Sequence, residues 1–425
     1  MHKVFSIVFL FTCHIGLSQS KLDITTYDKG NPLIEVIKYD KLMGSTFVIT
    51  AIDSSYARGN EICKRAIIYG NDIESKISSW DENSQTFKIN KYAGIMPVKV
   101  DKELFDLIYR SKKISELTDG AFDISYASMD KVWDFTKDTI TLPSKEKIKD
   151  AIAKINYKHI ILNTQDTSVF LKTPGMKIGF GAIGKGYLAD EIKKFLISNG
   201  IQSGIVNAGG DLITWGNPIG DTAWDLGIAN PTFKNSILAK LKIKDKALVT
   251  SGDYEKFIVI DDNKYCHIIN PKTGYPVNFL NSVSVLSNSA ELADALATAI
   301  FVMGEKEGIG LVNDLNGVEA FAIKEKEIFA SKNIEIENTQ TITGEYKYYA
   351  DNSAFKPCGS THWTPITFPE PILAERQYIS LLDGNYNNTV LLTSKGSFIE
   401  VKRESKTIKV FKVSEIVKME LRNCD

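Results

Sequence analysis

Met176–Glu191 reads MKIGFGAIGKGYLADE: a short apolar run, a loop with four glycines and one lysine, then the start of a helix. Glycine lets a backbone approach a ligand closely, successive N–H groups can point at one anion, and a helix N-terminus adds partial positive charge. A stretch of this kind is suited to hold a phosphate chain. Two patterns fit the loop at once. Gly179, Gly181 and Gly184 make G-x-G-x-x-G, the dinucleotide fingerprint, while Gly179 to Lys185 make G-x-x-x-x-G-K, most of a P-loop. Neither fits its surroundings. A P-loop carries Ser or Thr after the lysine to ligate magnesium, where this chain has Gly186. A Rossmann unit opens its domain and places an acidic residue about 20 residues on, and here Asp211 comes late. A glycine-rich turn with no ligand stays open as the alternative until other segments are weighed.

Composition sets the outer bounds. With 425 residues, 43% hydrophobic, 24% charged and a formal net charge of -1, the chain is an ordinary globular one with room for more than one domain. No basic excess points to nucleic acid, so no nucleic-acid partner is expected. At the N-terminus, Met1-His2-Lys3 precedes the apolar run Val4–Phe11, and Gly16-Leu17-Ser18 supplies small residues before Gln19. This reads as a signal peptide over residues 1–18, too short for a membrane span, and places the mature protein outside the cytoplasm, periplasmic or attached to the cell envelope. Cys13, after Leu10-Phe11-Thr12, offers the rival reading of a lipid anchor and membrane association. Cleavage leaves Cys63, Cys266, Cys358 and Cys424, without C-x-x-C or zinc spacing. Cys358 and Cys424 either pair in an oxidising compartment or remain two unrelated buried thiols.

Periodicity changes often along the chain. Leu33–Ile52 reads as two extended runs around Met43-Gly44-Ser45-Thr46; residues 60–77 carry Ile62, Ala66, Tyr69 and Ile73 on one helical face; residues 104–117 repeat the helical pattern with Leu104, Leu107, Ile108 and Ile114. Alternating runs around Ile160, Val206, Leu226, Leu241 and Ile258 interleave with helices to about residue 330, which gives an α+β domain over residues 19–334. From residue 335 to 425 the chain turns to short runs at Tyr378–Leu382, Thr389–Leu392, Phe398–Val401 and Thr407–Val413. Asp383-Gly384-Asn385 and Ser394-Lys395-Gly396 punctuate them, and a small all-β domain is expected.

Three further segments accompany the glycine loop. Leu248–Tyr254 is a strand running into a tight turn, His267–Pro276 an apolar strand ending in a proline and glycine turn, and Ala290–Gly304 a mostly apolar helix. On that helix Asp294 and Thr298 stand at i and i+4. A carboxylate and a hydroxyl are hard oxygen donors that suit magnesium, the cation a phosphate site needs. The competing reading has Thr298 bonding back to the Asp294 carbonyl while Asp294 caps a neighbouring loop. The histidines left after cleavage are His159, His267 and His362, which argues against a multi-histidine metal site. His267 beside its turn is either structural or a base near neutral pH.

These segments together resemble the ApbE family, the FAD:protein FMN transferases of bacteria. The resemblance spans about Lys41 to Gly304 and rests on motifs in order: Met43-Gly-Ser-Thr-Phe, Ile77-Ser-Ser-Trp, Gly120-Ala-Phe-Asp, Gly181-Ala-Ile-Gly-Lys-Gly, Val206-Asn-Ala-Gly-Gly-Asp, Thr250-Ser-Gly-Asp-Tyr, His267-Ile-Ile-Asn-Pro-Lys-Thr-Gly and Asp294-Ala-Leu-Ala-Thr. It implies a large T-fold-like flavin transferase domain followed by the β-rich segment. It also implies magnesium-dependent transfer of FMN from FAD to a Thr or Ser hydroxyl of an acceptor, with release of AMP. By the same resemblance Asp294, Thr298 and the Ala182 carbonyl would hold Mg2+. Met43, Trp80, Ala121, Phe122, Asp123, Lys185 and Ile269 would contact the flavin substrate, and His267 is the candidate catalytic base. Gly184, Asn270 and Lys272 depart from residues many members carry there, which leaves every metal side chain in place. The implied partner is a flavoprotein subunit of a membrane electron-transfer complex. The chain carries no Asp-Gly-x-Ser/Thr-Gly-Ala-Thr acceptor motif of its own, so the acceptor is a different protein. Water in place of the hydroxyl would make the same site an FAD pyrophosphatase, and a site without turnover would make an exported FAD carrier. A nicotinamide oxidoreductase, suggested by G-x-G-x-x-G alone, ranks last.

Overall fold

A computed structural model describes residues 25–27, 33–129, 132–133, 135, 142–229, 237–260, 263–325, 327–334, 340–349, 352–384, 389–403 and 406–424. The expected signal segment, with Cys13, lies outside them. The chain divides into two compact units. The first takes in most of the chain to Ile334; the second begins at Glu335, with part of the two-stranded sheet of Trp224–Ala229 and Ile237–Ile243 grouped with it.

The first unit is built on a nine-stranded sheet in the order Thr25–Tyr27, Ile34–Leu42, Ser45–Asp53, Ser203–Ala208, Asp211–Trp215, Ala247–Gly252, Ser282–Ser287, Glu319–Lys324 and Glu327–Ala330. Every neighbouring pair is antiparallel. Spatial order follows chain order, so the helices are insertions between successive strands. A dinucleotide-binding unit needs parallel strands joined by a crossover helix, so the G-x-G-x-x-G match is not a Rossmann fingerprint.

Among the described residues seven α-helices belong to this unit: α1 (Tyr56–Ile77), α2 (Gln85–Lys91), α3 (Lys102–Leu117), α4 (Lys145–Ile152), α5 (Gly184–Ser198), α6 (Ala290–Met303) and α7 (Glu305–Asn313). The face expected from the spacing of residues 60–77 is the inner face of α1, with Ile62, Ala66 and Ile73 buried, and Ser55 caps its start by accepting from Arg58 N. On α3, Leu104, Leu107, Ile108 and Ile114 are buried as their spacing requires. α6 is apolar nearly all round and lies deep in the core, and Gly304 at φ 90° ends it. The strand Ser282–Ser287 beside it is buried at all six positions, so both faces of the sheet are covered there.

The second unit is a closed five-stranded barrel in the order Gln340–Tyr349, Asn352–Pro357, Thr364–Thr367, Lys406–Leu421, Val390–Arg403 and back to the first. Thr364–Thr367 runs parallel to Lys406–Leu421 and the other pairs are antiparallel, the Greek-key arrangement of an OB-fold. Tyr346, Phe355, Val390, Leu392 and Phe411 fill it.

Two local expectations need correction. Tyr378–Leu382 is the last part of a helix, α8 (Pro371–Leu382), rather than an extended run. Ala374, Tyr378 and Leu382 recur one turn apart as its buried face, Pro371 sits at its start, and Asp383 ends it in the left-handed region at φ 43°. Ser394-Lys395-Gly396 interrupts no strand. It is a pair of register shifts inside the single strand Val390–Arg403, which lets a 14-residue strand curve around the barrel.

Cys358 and Cys424 are joined in a disulfide across a Cα–Cα distance of 5.4 Å, while Cys63 and Cys266 are buried free thiols. Burial pushes those two thiols up, to about 12 and about 11, which keeps them protonated and unreactive. The disulfide closes a separation of 66 residues. Opening a loop of that length costs about 4 kcal/mol on a chain-entropy basis. A Cys358→Ser variant followed by calorimetry should therefore show the second unit melting earlier and the first unit unmoved; an unshifted trace would contradict the pairing.

Candidate active site

The glycine loop leads into α5, whose N-cap residue Ile183 provides no side-chain cap. A helix start leaves unpaired N–H groups and partial positive charge, which here are answered from another helix. The Asp294 carboxylate of α6 accepts from Gly186 N at 3.0 Å. In return Asp190 of α5 accepts from Ala290 N and Glu291 N, each at 3.0 Å, and from the Ser289 hydroxyl at 2.7 Å, all at the start of α6. The two helices cap each other. Gly186 is what permits the approach, because a Cβ there would stand 2.1 Å from the Ala290 carbonyl oxygen.

Lys185, beside that contact, forms an ion pair with buried Asp211 at the start of the strand Asp211–Trp215. Thr250 N donates to the other oxygen of Asp211 at 3.3 Å. Burial pushes the carboxyls of Asp211 and Asp294 upward, and the Lys185 ammonium works against that rise in both. Lys185 itself is held above its ordinary value, the carboxylates outweighing the burial of its charge. Glu255 lies within the reach of the same charges; the chain packed around it and the Asp211 carboxylate push it to about 7 although much of its surface is open.

Asp294 thus caps the start of a helix rather than a loop, and the Thr298 hydroxyl makes no back-bond to its carbonyl, so the competing reading holds only in that Asp294 caps a neighbour; the Asp190 half of the exchange was not visible in the sequence. Thr298, one turn further along α6, sits 3.5 Å from the Ser251 hydroxyl, too long for a strong hydrogen bond. Ala182 lies in the turn just ahead of α5. The donors expected for magnesium are a carboxylate, a hydroxyl and a carbonyl, all hard oxygens, which fits that ion. Among the described residues no cluster of three or more His, Cys, Asp or Glu could hold a metal. A metal held here would lean on substrate phosphates and water for most of its shell, which is how magnesium is commonly bound.

Met43 occupies a turn at φ 50°, its N–H donating to Glu74 at 2.8 Å, and its methyl lies against Gly184 at the start of α5. Trp80 follows α1 in a bend and is 75% exposed, so it is not a core tryptophan and its ring face is available to a ligand. Its neighbour Ser79 touches the Gly179 position of the loop. Ala121 and Phe122 are buried, and Asp123 accepts from Ser125 N, the Ser125 hydroxyl and Tyr157 N at 2.8, 2.6 and 2.8 Å. With those side chains committed, any contact from this segment to a ligand has to come from its main chain. Ile269 is half-buried, bridges Pro276 and packs with Trp133 and Ile258.

His267 stands just after the strand Asn263–Cys266 rather than opening one. Its Nδ1 lies 3.2 Å from the Lys256 carbonyl, which can only accept, so the hydrogen resides on Nδ1 and Nε2 keeps its lone pair. Burial, with the Lys256 and Lys185 charges adding to it, lowers the imidazole to about 4, so it is neutral at neutral pH.

The ApbE family model matches residues 43–322. The chain belongs to the ApbE family. Among its relatives are FAD:protein FMN transferases of Treponema pallidum, 32% identical over 61% of this chain and 76% of the relative, and of Klebsiella pneumoniae, 29% identical over 68% and 90%. Solved structures agree: the ApbE protein of Thermotoga maritima superposes with a TM-score of 0.65 at 32% identity, covering 70% of this chain and 97% of that one. The flavin transferase ApbE of Vibrio cholerae gives 0.62 at 26% identity, with the same coverages. The match ends at residue 322, so this ApbE chain carries its barrel outside the region the family model covers.

Replacing Gly186 with Ala forces a methyl into the Ala290 carbonyl. Overpacking of this kind costs about 3 kcal/mol when backbone must yield. Urea unfolding should show that loss in the first unit; a change below about 1 kcal/mol would contradict the close approach of α5 and α6.

Proposed function

We propose that this chain is a flavin transferase that moves the FMN half of FAD onto a Thr or Ser hydroxyl of an acceptor protein outside the cytoplasm, releasing AMP, with magnesium required. The observation that carries the reading is the start of α5, which has no side-chain cap of its own and has Lys185 and Asp294 converging on it. The glycine loop and Lys185 are suited to hold the diphosphate, and exposed Trp80 to stack on the flavin or adenine ring. Asp294, Thr298 and the Ala182 carbonyl would hold the magnesium ion, which when bound would offset charge on the diphosphate.

The acceptor oxygen attacks the phosphorus on the FMN side of the diphosphate. The bond from that phosphorus to the bridging oxygen breaks, AMP leaves with the bridging oxygen, and the hydroxyl proton passes to Nε2 of His267. The Lys256 carbonyl keeps the imidazole in the tautomer that can receive it. Export is supported by the N-terminal sequence and by the Cys358–Cys424 disulfide, a bond that persists in oxidising compartments. The acceptor we expect is a flavin-carrying subunit of a membrane electron-transfer complex.

A His267→Ala variant should lose transfer while still binding FAD, measured by protein-linked flavin fluorescence beside an equilibrium titration; unchanged transfer removes His267 from the mechanism. The base works in its neutral form, and its lowered value means that form is lost only as pH falls through about 4. Transfer should therefore hold level across neutral pH as far as this residue is concerned. A fall centred near 6.5, the ordinary histidine value, would contradict the lowered value of the half-buried imidazole.

A further inference from the structure

Tyr126 takes no part in the mechanism above, yet the structure fixes it against the phosphate-holding loop. It belongs to the 3-10 helix Ile124–Met129. Asp123 pins the front of that helix through its bonds to Ser125, and Gly179 N donates to the Ile124 carbonyl at 3.0 Å. Further along, the Ser128 hydroxyl accepts from Lys177 N at 3.0 Å, and Ala127 touches the Gly179 position. The helix and the loop are thus bolted together on both sides of Tyr126.

The Tyr126 hydroxyl oxygen ends 2.5 Å from where a Cβ on Gly181 would stand, so it rests directly on the loop backbone. It is close enough to Asp294 to feel that carboxylate. The residue is half-buried, and among the described residues its hydroxyl makes no hydrogen bond. That leaves the hydroxyl open to a ligand on the loop. A tyrosine hydroxyl keeps its proton at neutral pH and so has an O–H to donate.

We propose that Tyr126 is a substrate-binding residue whose hydroxyl donates a hydrogen bond to a phosphate oxygen of the dinucleotide diphosphate held on the Gly179–Gly186 loop. This deepens the flavin-transfer reading and rests on it for the identity of the diphosphate. A hydrogen bond to a charged oxygen, lost without loss of packing, corresponds to about a tenfold change in affinity.

The test is a fluorescence titration of the wild-type chain and of Tyr126→Phe with FAD and with riboflavin, which has the ring and no phosphate, in magnesium-free buffer so that bound FAD is not consumed. The expected result is FAD affinity weakened about tenfold in the variant with riboflavin affinity unchanged. FAD affinity within about twofold of wild type overturns the proposal, and so does an equal loss for both ligands, which would make Tyr126 a support for the ring site or the fold. A wild-type chain that binds FAD no tighter than riboflavin overturns the diphosphate site and this residue's part in it together. Tight wild-type FAD binding without protein labelling sinks only the transferase reading and leaves the Tyr126 comparison decisive.

Discussion

The structure of the first unit depends on two helix starts that cap each other. Asp294 of α6 answers the N–H of Gly186, and Asp190 of α5 answers those of Ala290 and Glu291. A buried carboxylate alone is costly, and an unanswered helix start is costly too; placed together each removes much of the other's penalty. The exchange works only at backbone contact distance, which makes Gly186 a packing glycine as much as a loop glycine. α6 is also wrapped by core side chains, so its register against α5 is fixed by packing along its whole length.

That constraint sets the chemistry of the mouth. It brings Asp294 to the start of α5 and leaves Lys185 to pair with Asp211, so carboxylates, an ammonium and backbone N–H groups meet where a diphosphate and a cation would balance them. His267 feels the Lys185 charge without pairing to a carboxylate; its bond to a main-chain carbonyl fixes its tautomer, and desolvation keeps its ring neutral. Trp80 contributes an exposed ring beside the loop, next to a neighbour that touches the Gly179 position.

Much of this was legible in the sequence. The glycine loop, the i and i+4 placement of Asp294 and Thr298, and the inner faces of α1 and α3 follow from spacing alone, because those signals are local. The antiparallel order of the sheet was not legible, since strand pairing across insertions leaves no local mark. Asp190 escaped notice because one acidic residue inside a helix looks like solvated surface until a second helix arrives beside it. The readings at Tyr378–Leu382 and Ser394–Gly396 failed for related reasons: β-favouring residues sat on a helix whose buried face is one residue per turn, and a turn-like tripeptide served as a bulge inside a strand. Buried Phe122 and fully bonded Asp123 show the limit of carrying residues over by motif, since the motif locates a segment without saying which of its atoms remain free.

The most direct measurement counts products. The mature chain is incubated with FAD, magnesium and an extract of exported proteins, and protein-linked flavin on a denaturing gel is compared with AMP in the supernatant. Flavin transfer predicts a labelled acceptor band and one AMP for each flavin attached. Free FMN and AMP in equal amounts with no labelled protein would contradict it and make the site a hydrolase.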